Sequence, residues 1–324
     1  MRRSRVRRRS VALFALPLAL GAVLLACAGP TADLAPSAQK MTPEVLPYVD
    51  VSLRPSPLPD MVAQTGVRSA VLAFALSADG SCTPSWGGET PISDPVVVEA
   101  ARSLQQVTVA TGGATGTYLE NTCRTAESLA GAYRAALASV GATRLDVDVE
   151  TGIDAEKVAS ALALLKGVDV TLTLPVQDAT HGLTAAALDL VDTVQAHGVD
   201  ARVNAMVMNF PDEGDWSGAM LRATDTIVGQ LGRDPSRIGI TLMLGRTDQG
   251  PVTSLADAAG VAGAARDRGI GAVGLWSVGR DNGDCPGNAT ASYACSGIPQ
   301  TRFAFTRTVR DVSAGLAPPE DVTP

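Results

Sequence analysis

Histidine is nearly missing from this chain, with two among 324 residues. Aromatic residues make up 4% and charged residues 18%. No Cys-x-x-Cys pair occurs, and no Gly-x-Gly-x-x-Gly turn follows the first strand-like run. Each shortage removes a class of function. His181 and His197 lie near a loop and a helix end, and no Ser-His-Asp order is evident. A zinc site lacks its donors and their spacing, so no metal is expected. An open dinucleotide-binding sheet lacks its phosphate turn. The formal net charge is -7, and six arginines are gathered in the first nine residues, so the rest is more acidic still. Binding a phosphate backbone needs clustered lysine and arginine, which excludes nucleic acid as a partner.

What is present is apolar. Hydrophobic residues reach 46%, enough for a large core and too many for a mainly disordered chain. Residues 1–27 read as an address: a positive stretch from Arg2 to Arg9, then an apolar run from Val11 to Ala26. That run is short for a membrane span and fits a signal peptide. It ends Leu24-Leu25-Ala26-Cys27, which resembles a bacterial lipobox, so Cys27 is the expected lipidation site. The protein is then extracytoplasmic, lipid-anchored to the outer face of the cell membrane or secreted. Acyl labelling that survived Cys27→Ser would defeat the lipid reading. Residues 28–46, rich in Pro, Ala, Ser and Thr, read as a flexible tether. Cys82, Cys123, Cys285 and Cys295 form an even set in a secreted context. Four cysteines allow three pairings, among which the sequence alone does not choose; the short spacing of Cys285 and Cys295 favours a local staple, which would leave Cys82 with Cys123.

From residue 47 to 316 strand-like and helix-like segments alternate, with residues 317–324 as a tail. The strand-like runs are Tyr48–Leu53, Ala70–Leu76, Val107–Thr111, Arg144–Val149, Val168–Leu174, Ala201–Met208, Ile238–Leu244 and Gly271–Val278. Helical patterns follow, among them Thr125–Val140, Thr184–Ala196, Ser217–Leu231 and Ser254–Arg268, and Asp154 is placed to cap another. Apolar strands of this kind belong to a parallel sheet buried on both faces. Eight such units predict an α/β fold, a single (β/α)8 TIM barrel, with chemistry at the C-terminal ends of its strands.

The fourth run reads Arg144-Leu145-Asp146-Val147-Asp148-Val149-Glu150. Side chains alternate along a strand, so Asp146, Asp148 and Glu150 share one face. In a closed barrel the apolar set packs outward and the three carboxyls point inward. Like charges so close cannot all ionise, and at least one pKa must rise. A glutamic acid with a raised pKa at a strand tip is a general acid for a poor leaving group such as a glycosidic oxygen.

This segment resembles the D-x-x-D-x-D-x-E signature of family 18 glycoside hydrolases, the chitinase family, with Thr143 in place of the first Asp. The segments PYVDVS, VLAFALSADGSCTPSW, VTVATGGATGT, VNAMVMNF, ITLMLGRTDQ and LWSVGRDNGDC are similar, in order, to other strands of bacterial members. The resemblance implies hydrolysis of β-1,4-linked N-acetylglucosamine polymers or oligomers by a monomeric enzyme with no cofactor. Glu150 would be the acid and then the base, Asp148 would hold the 2-acetamido group, and Asp146 would share a proton or hydrogen bond with Asp148. The acetamido oxygen, not a second carboxylate, would attack the sugar, with retention at the anomeric carbon. Trp276 would be the floor under the sugar, or barrel packing. Met206 and Met208 would line the pocket or fill the barrel. Asn209 and Phe210 stand where relatives often carry Asp and Tyr, and are expected beside the acetamido group. Gly112 and Gly113 would permit close backbone approach, and Trp86 and Trp216 would stack outer sugars or pack loops. Alternatives on the same barrel are a catalytically silent glycan-binding lectin and an endo-β-N-acetylglucosaminidase.

Overall fold

In the computed structural model, residues 41–211 and 214–319 are described. The expected signal peptide, the expected lipidation site Cys27 and most of the expected tether lie outside the described residues.

Eight parallel strands close a ring. They are β1 (Glu44–Asp50), β2 (Ser69–Ser77), β3 (Gln106–Gly112), β4 (Arg144–Asp148), β5 (Asp169–Asp178), β6 (Arg202–Met206), β7 (Ile238–Met243) and β8 (Ala272–Trp276). Each pairs with its sequence neighbour, and β1 pairs with both β2 and β8, so the ring has no edge. A helix follows each strand: α1 (Leu58–Thr65), α2 (Pro95–Ala101), α3 (Ala126–Val140), α4 (Ala155–Ala163), α5 (Ala185–Ala196), α6 (Trp216–Leu231), α7 (Leu255–Arg268) and α8 (Ala304–Ser313).

Local chemistry starts most of these helices. Asp94, Thr125, Asp154, Thr184, Asp215 and Ser254 each accept a hydrogen bond from a first-turn backbone N–H. Such caps are worth about 1 kcal/mol each. The helix α8 is different. Its own N-cap residue, Phe303, gives no side-chain bond. The cap comes instead from Asp281, beyond β8, which accepts from Phe305 N at 3.0 Å, Thr306 N at 2.8 Å and Thr306 Oγ1 at 2.7 Å.

Strand β1 starts at Glu44, ahead of the expected start at Tyr48 and inside the expected tether. Pro47 removes one ladder donor but does not end the strand. The stretch Glu44–Pro47 registers with β8 and Tyr48–Asp50 with β2, so the strand changes partner just after its proline.

The strands sort their side chains by period two. Leu145 and Val147 of β4, Leu172 and Leu174 of β5, and Val203 and Ala205 of β6 pack outward in the main core against the helices. The inward set includes Asp146, Thr173, Asn204 and Thr241, all buried. The ring therefore carries a polar layer through its centre. The two disulfides are Cys82–Cys123, joining the loops after β2 and β3, and Cys285–Cys295, within the loop after β8.

Candidate active site

A cavity of about 210 Å³ opens at the C-terminal ends of the strands. Its polar wall includes Asp148, Glu150, Asn209 and Asp248, and its apolar wall includes Phe74, Met206, Met208 and Trp276. Trp276 is half-buried. Its ring is braced by Phe74, with centroids 5.5 Å apart, and by the edge of Tyr48 at 6.0 Å. Met206, Met208 and Met243 pack together beside it.

The acid triplet descends from the cavity into the ring. Asp146 is deepest, at 1% exposure. Its carboxylate accepts from Tyr48 Oη at 2.7 Å and Thr173 Oγ1 at 2.6 Å. Asn204 Nδ2 completes the layer, donating to Tyr48 Oη, Thr173 Oγ1 and Thr241 Oγ1 at 2.8–3.1 Å. Burial pushes the Asp146 carboxyl up to about 6, against the pull of those two hydroxyls. Asp148 is also buried, and its Oδ1 has no hydrogen-bond partner. Burial, then the charges of Asp146 and Glu150, raise its pKa well above the usual carboxylate range. No hydrogen bond joins Asp146 to Asp148 among the described residues; both oxygens of Asp146 are held by Tyr48 and Thr173 instead. Glu150 stands at the mouth, and its pKa is raised by partial burial and by the charge of Asp248.

Asn209 lines the cavity, but it is bound to Asp248 rather than left open. Asn209 Nδ2 donates to Asp248 Oδ2 at 2.9 Å, and Asp248 N donates to Asn209 Oδ1 at 3.0 Å.

Three expected substrate contacts are displaced. Phe210 is buried in the outer core, 4.9 Å from the Trp216 ring. Asn209 takes a left-handed backbone, φ 55, and that turn carries the next side chain out of the barrel. Gly112 and Gly113 do not line the cavity; they shape the backbone behind it. A Cβ on Gly112 would stand 1.8 Å from Asp148 O, and one on Gly113 would stand 2.6 Å from the Phe74 ring. Both have positive φ, at 86 and 91, so a side chain would also be strained. Trp86 and Trp216 are buried loop and core residues, their indole N–H groups bonded to Ile92 O and Thr253 Oγ1 at 3.0 Å. His181 and His197 lie elsewhere, bonded to Asp178 and Thr193.

Sequence reasoning missed Tyr48, Thr173, Asn204 and Thr241. Their signal was available, since each is a polar residue at an inward position of an otherwise apolar strand. Asp248 sits in a loop and carries no periodic signal.

The raised Asp146 pKa has a consequence for stability. The folded protein holds this proton more tightly than the unfolded chain, where the carboxyl titrates near 3.8. The contribution is therefore complete below about pH 4 and lost as pH rises through about 6. Urea titrations should show wild-type stability falling over that window, and Asp146→Asn should remove that part of the slope. Parallel curves for the two proteins would contradict the burial of an ionisable Asp146.

No family model matches the chain. It is 28% identical over 305 residues to the probable bifunctional chitinase/lysozyme of Escherichia coli K12, across 80% of this chain and 33% of that protein. It is 28% identical over 272 residues to endochitinase 11 of Metarhizium anisopliae, across 72% and 52%. The chain thus spans between a third and about half the length of these curated relatives. A fungal endo-β-N-acetylglucosaminidase of family 18 shares the fold, with a TM-score of 0.58 and 17% identity over 84% of this chain and 98% of that one. Active domain 2 of a chitinase from Pyrococcus furiosus superposes with a TM-score of 0.76 and 30% identity over 85% of this chain and 97% of that one. With that identity over almost the whole of that domain, on a closed eight-stranded barrel, this chain belongs to glycoside hydrolase family 18, the chitinase family.

Proposed function

We propose that the protein hydrolyses β-1,4-linked N-acetylglucosamine oligomers or polymers with retention, using Glu150 as acid and then base. The observation that carries this reading is Asp148: a buried carboxyl with an unpartnered oxygen, in the same cavity as Glu150 and Trp276. A buried acceptor without a donor is costly, and the N–H of an acetamido group would satisfy it. Glu150 gives its proton to the glycosidic oxygen as the C–O bond breaks. The acetamido carbonyl oxygen bonds to the anomeric carbon, forming a positively charged oxazolinium ring. The Asp148 carboxyl beside the ring steadies that charge, and its own pKa is raised by burial and then by the charges of Asp146 and Glu150. Water then attacks the same carbon, returns its proton to Glu150 and reopens the acetamido group. Asp146, fixed by Tyr48 and Thr173, adds its charge to the burial that raises Asp148. Trp276 forms the apolar floor of the sugar site.

Proton NMR of the first product formed from chito-oligosaccharides tests the route. The β-anomer should appear first and mutarotate later. Initial α-anomer would refute the substrate-assisted step, and binding without any cleavage would leave a lectin.

The same proposal places the protein outside the cytoplasm, anchored by a lipid on Cys27 or secreted. Its support is the pair of disulfides, which persist in oxidising compartments, and acyl labelling of wild type against Cys27→Ser distinguishes the two settings.

A further inference from the structure

The strand that carries the acid stops short of it. β4 ends at Asp148. On the β5 side, Val149 N still donates to Thr173 O at 2.9 Å. On the β3 side, the last backbone link is Gly113 N to Asp148 O at 3.0 Å, after which β3 has turned away through Gly112 and Gly113. The N–H of Glu150 has no strand carbonyl left to meet, and backbone donors in such places need a partner. It donates to the hydroxyl of Tyr118 at 3.0 Å. The same hydroxyl donates to Gly113 O at 2.6 Å.

Tyr118 is 2% exposed. Burial first, then the charges of Asp148, Glu150 and Glu120, hold its pKa above the ordinary phenol value, so it keeps its proton. That single proton is directed at Gly113 O, which leaves a lone pair for Glu150 N. The hydroxyl stands in for the carbonyl that β3 no longer offers. Two further bonds tie the same segment to the chain after β4: Asn121 Nδ2 to Gly152 O in the loop at 3.2 Å, and Lys157 Nζ of α4 to Cys123 O at 3.0 Å. The Cys82–Cys123 disulfide anchors its far end.

We propose that Tyr118 is the positioning residue of the acid, its hydroxyl extending β4 by one link so that Glu150 projects from fixed strand backbone rather than from a loop. This rests on the reading of Glu150 as the acid. Proton transfer requires the carboxyl within hydrogen-bond reach of the glycosidic oxygen. A displacement of about 1 Å costs on the order of a hundredfold in rate.

Tyr118→Phe keeps the ring and removes only the hydroxyl. On chito-oligosaccharides kcat should fall about ten- to a hundredfold, with KM unchanged. In a Glu150→Gln background the same change should cause no further loss. Amide hydrogen exchange in the ligand-free protein supplies a readout independent of activity. The Glu150 amide should be protected in wild type although it lies beyond its strand, and should exchange about tenfold faster or more in Tyr118→Phe, with Val149 unaffected. An unprotected Glu150 amide in wild type overturns the proposal even if the variant does not fold. Unchanged kcat, or equal losses in both backgrounds, overturns it as well. A wild type that shows the expected exchange pattern but cleaves no chito-oligosaccharide upholds the positioning and refutes the glycosidase reading instead.

Discussion

Glu150→Gln should lower kcat on fluorogenic chito-oligosaccharides by about two to four orders of magnitude while leaving KM near the wild-type value. The range is that of a single positioned proton donor. Gln fills the same space at the mouth of the cavity and keeps the backbone link to Tyr118, so binding should survive. Only the proton is lost. The sign of the wild-type pH dependence follows from the same residue. Burial and Asp248 raise the Glu150 pKa, which extends the protonated, active form toward neutral pH. Activity should decline as pH rises through that value, and the decline should be absent from the residual rate of Glu150→Gln. Equal turnover by the two proteins would remove Glu150 from the mechanism.

The largest loss of stability is expected at Asp281. This residue lies outside the cavity and is fully buried. It accepts from the backbone of Phe305 and Thr306, from the Thr306 hydroxyl, and from Gln300 Nε2 at 2.9 Å. Asp281→Ala would strand several of these donors without water. Each orphaned donor costs roughly 1–3 kcal/mol. Release of a carboxyl whose pKa burial has raised offsets part of that, so a net loss of about 3 kcal/mol or more is expected. Urea denaturation should also show Asp281→Asn falling between the two, because the amide keeps an acceptor but turns its own N–H groups toward other donors. A midpoint for Asp281→Ala close to wild type would show that α8 is held by its apolar face alone.

The outline of the barrel was legible because strands and helices leave different periods, and eight repeats of the same alternation admit few architectures. The acid triplet was legible for the same reason. Asp146 and Asp148 lie on a regular strand, so parity alone decides which way they point. Phe210 shows where parity fails. It follows Asn209, whose left-handed turn reverses the side on which the next residue emerges, and nothing in the residue types announces that reversal. Gly112 and Gly113 were recognised as sites of close approach, but what approaches is Asp148 O and the Phe74 ring rather than a sugar. Asp248 and Tyr118 act from loops, where position depends on the whole ring being closed. The expected bond between Asp146 and Asp148 gave way to Tyr48 and Thr173, residues of other strands that no local reading of β4 could supply.

Ring closure also bears on how the chain is made. The first strand finds one of its two partners only in β8, near the far end of the sequence. Until the ribosome has delivered that strand, the nascent sheet has two raw margins able to pair with other chains. Contacts this distant in sequence form slowly. A chain cut before Ala272 should therefore clump rather than persist as a smaller soluble barrel.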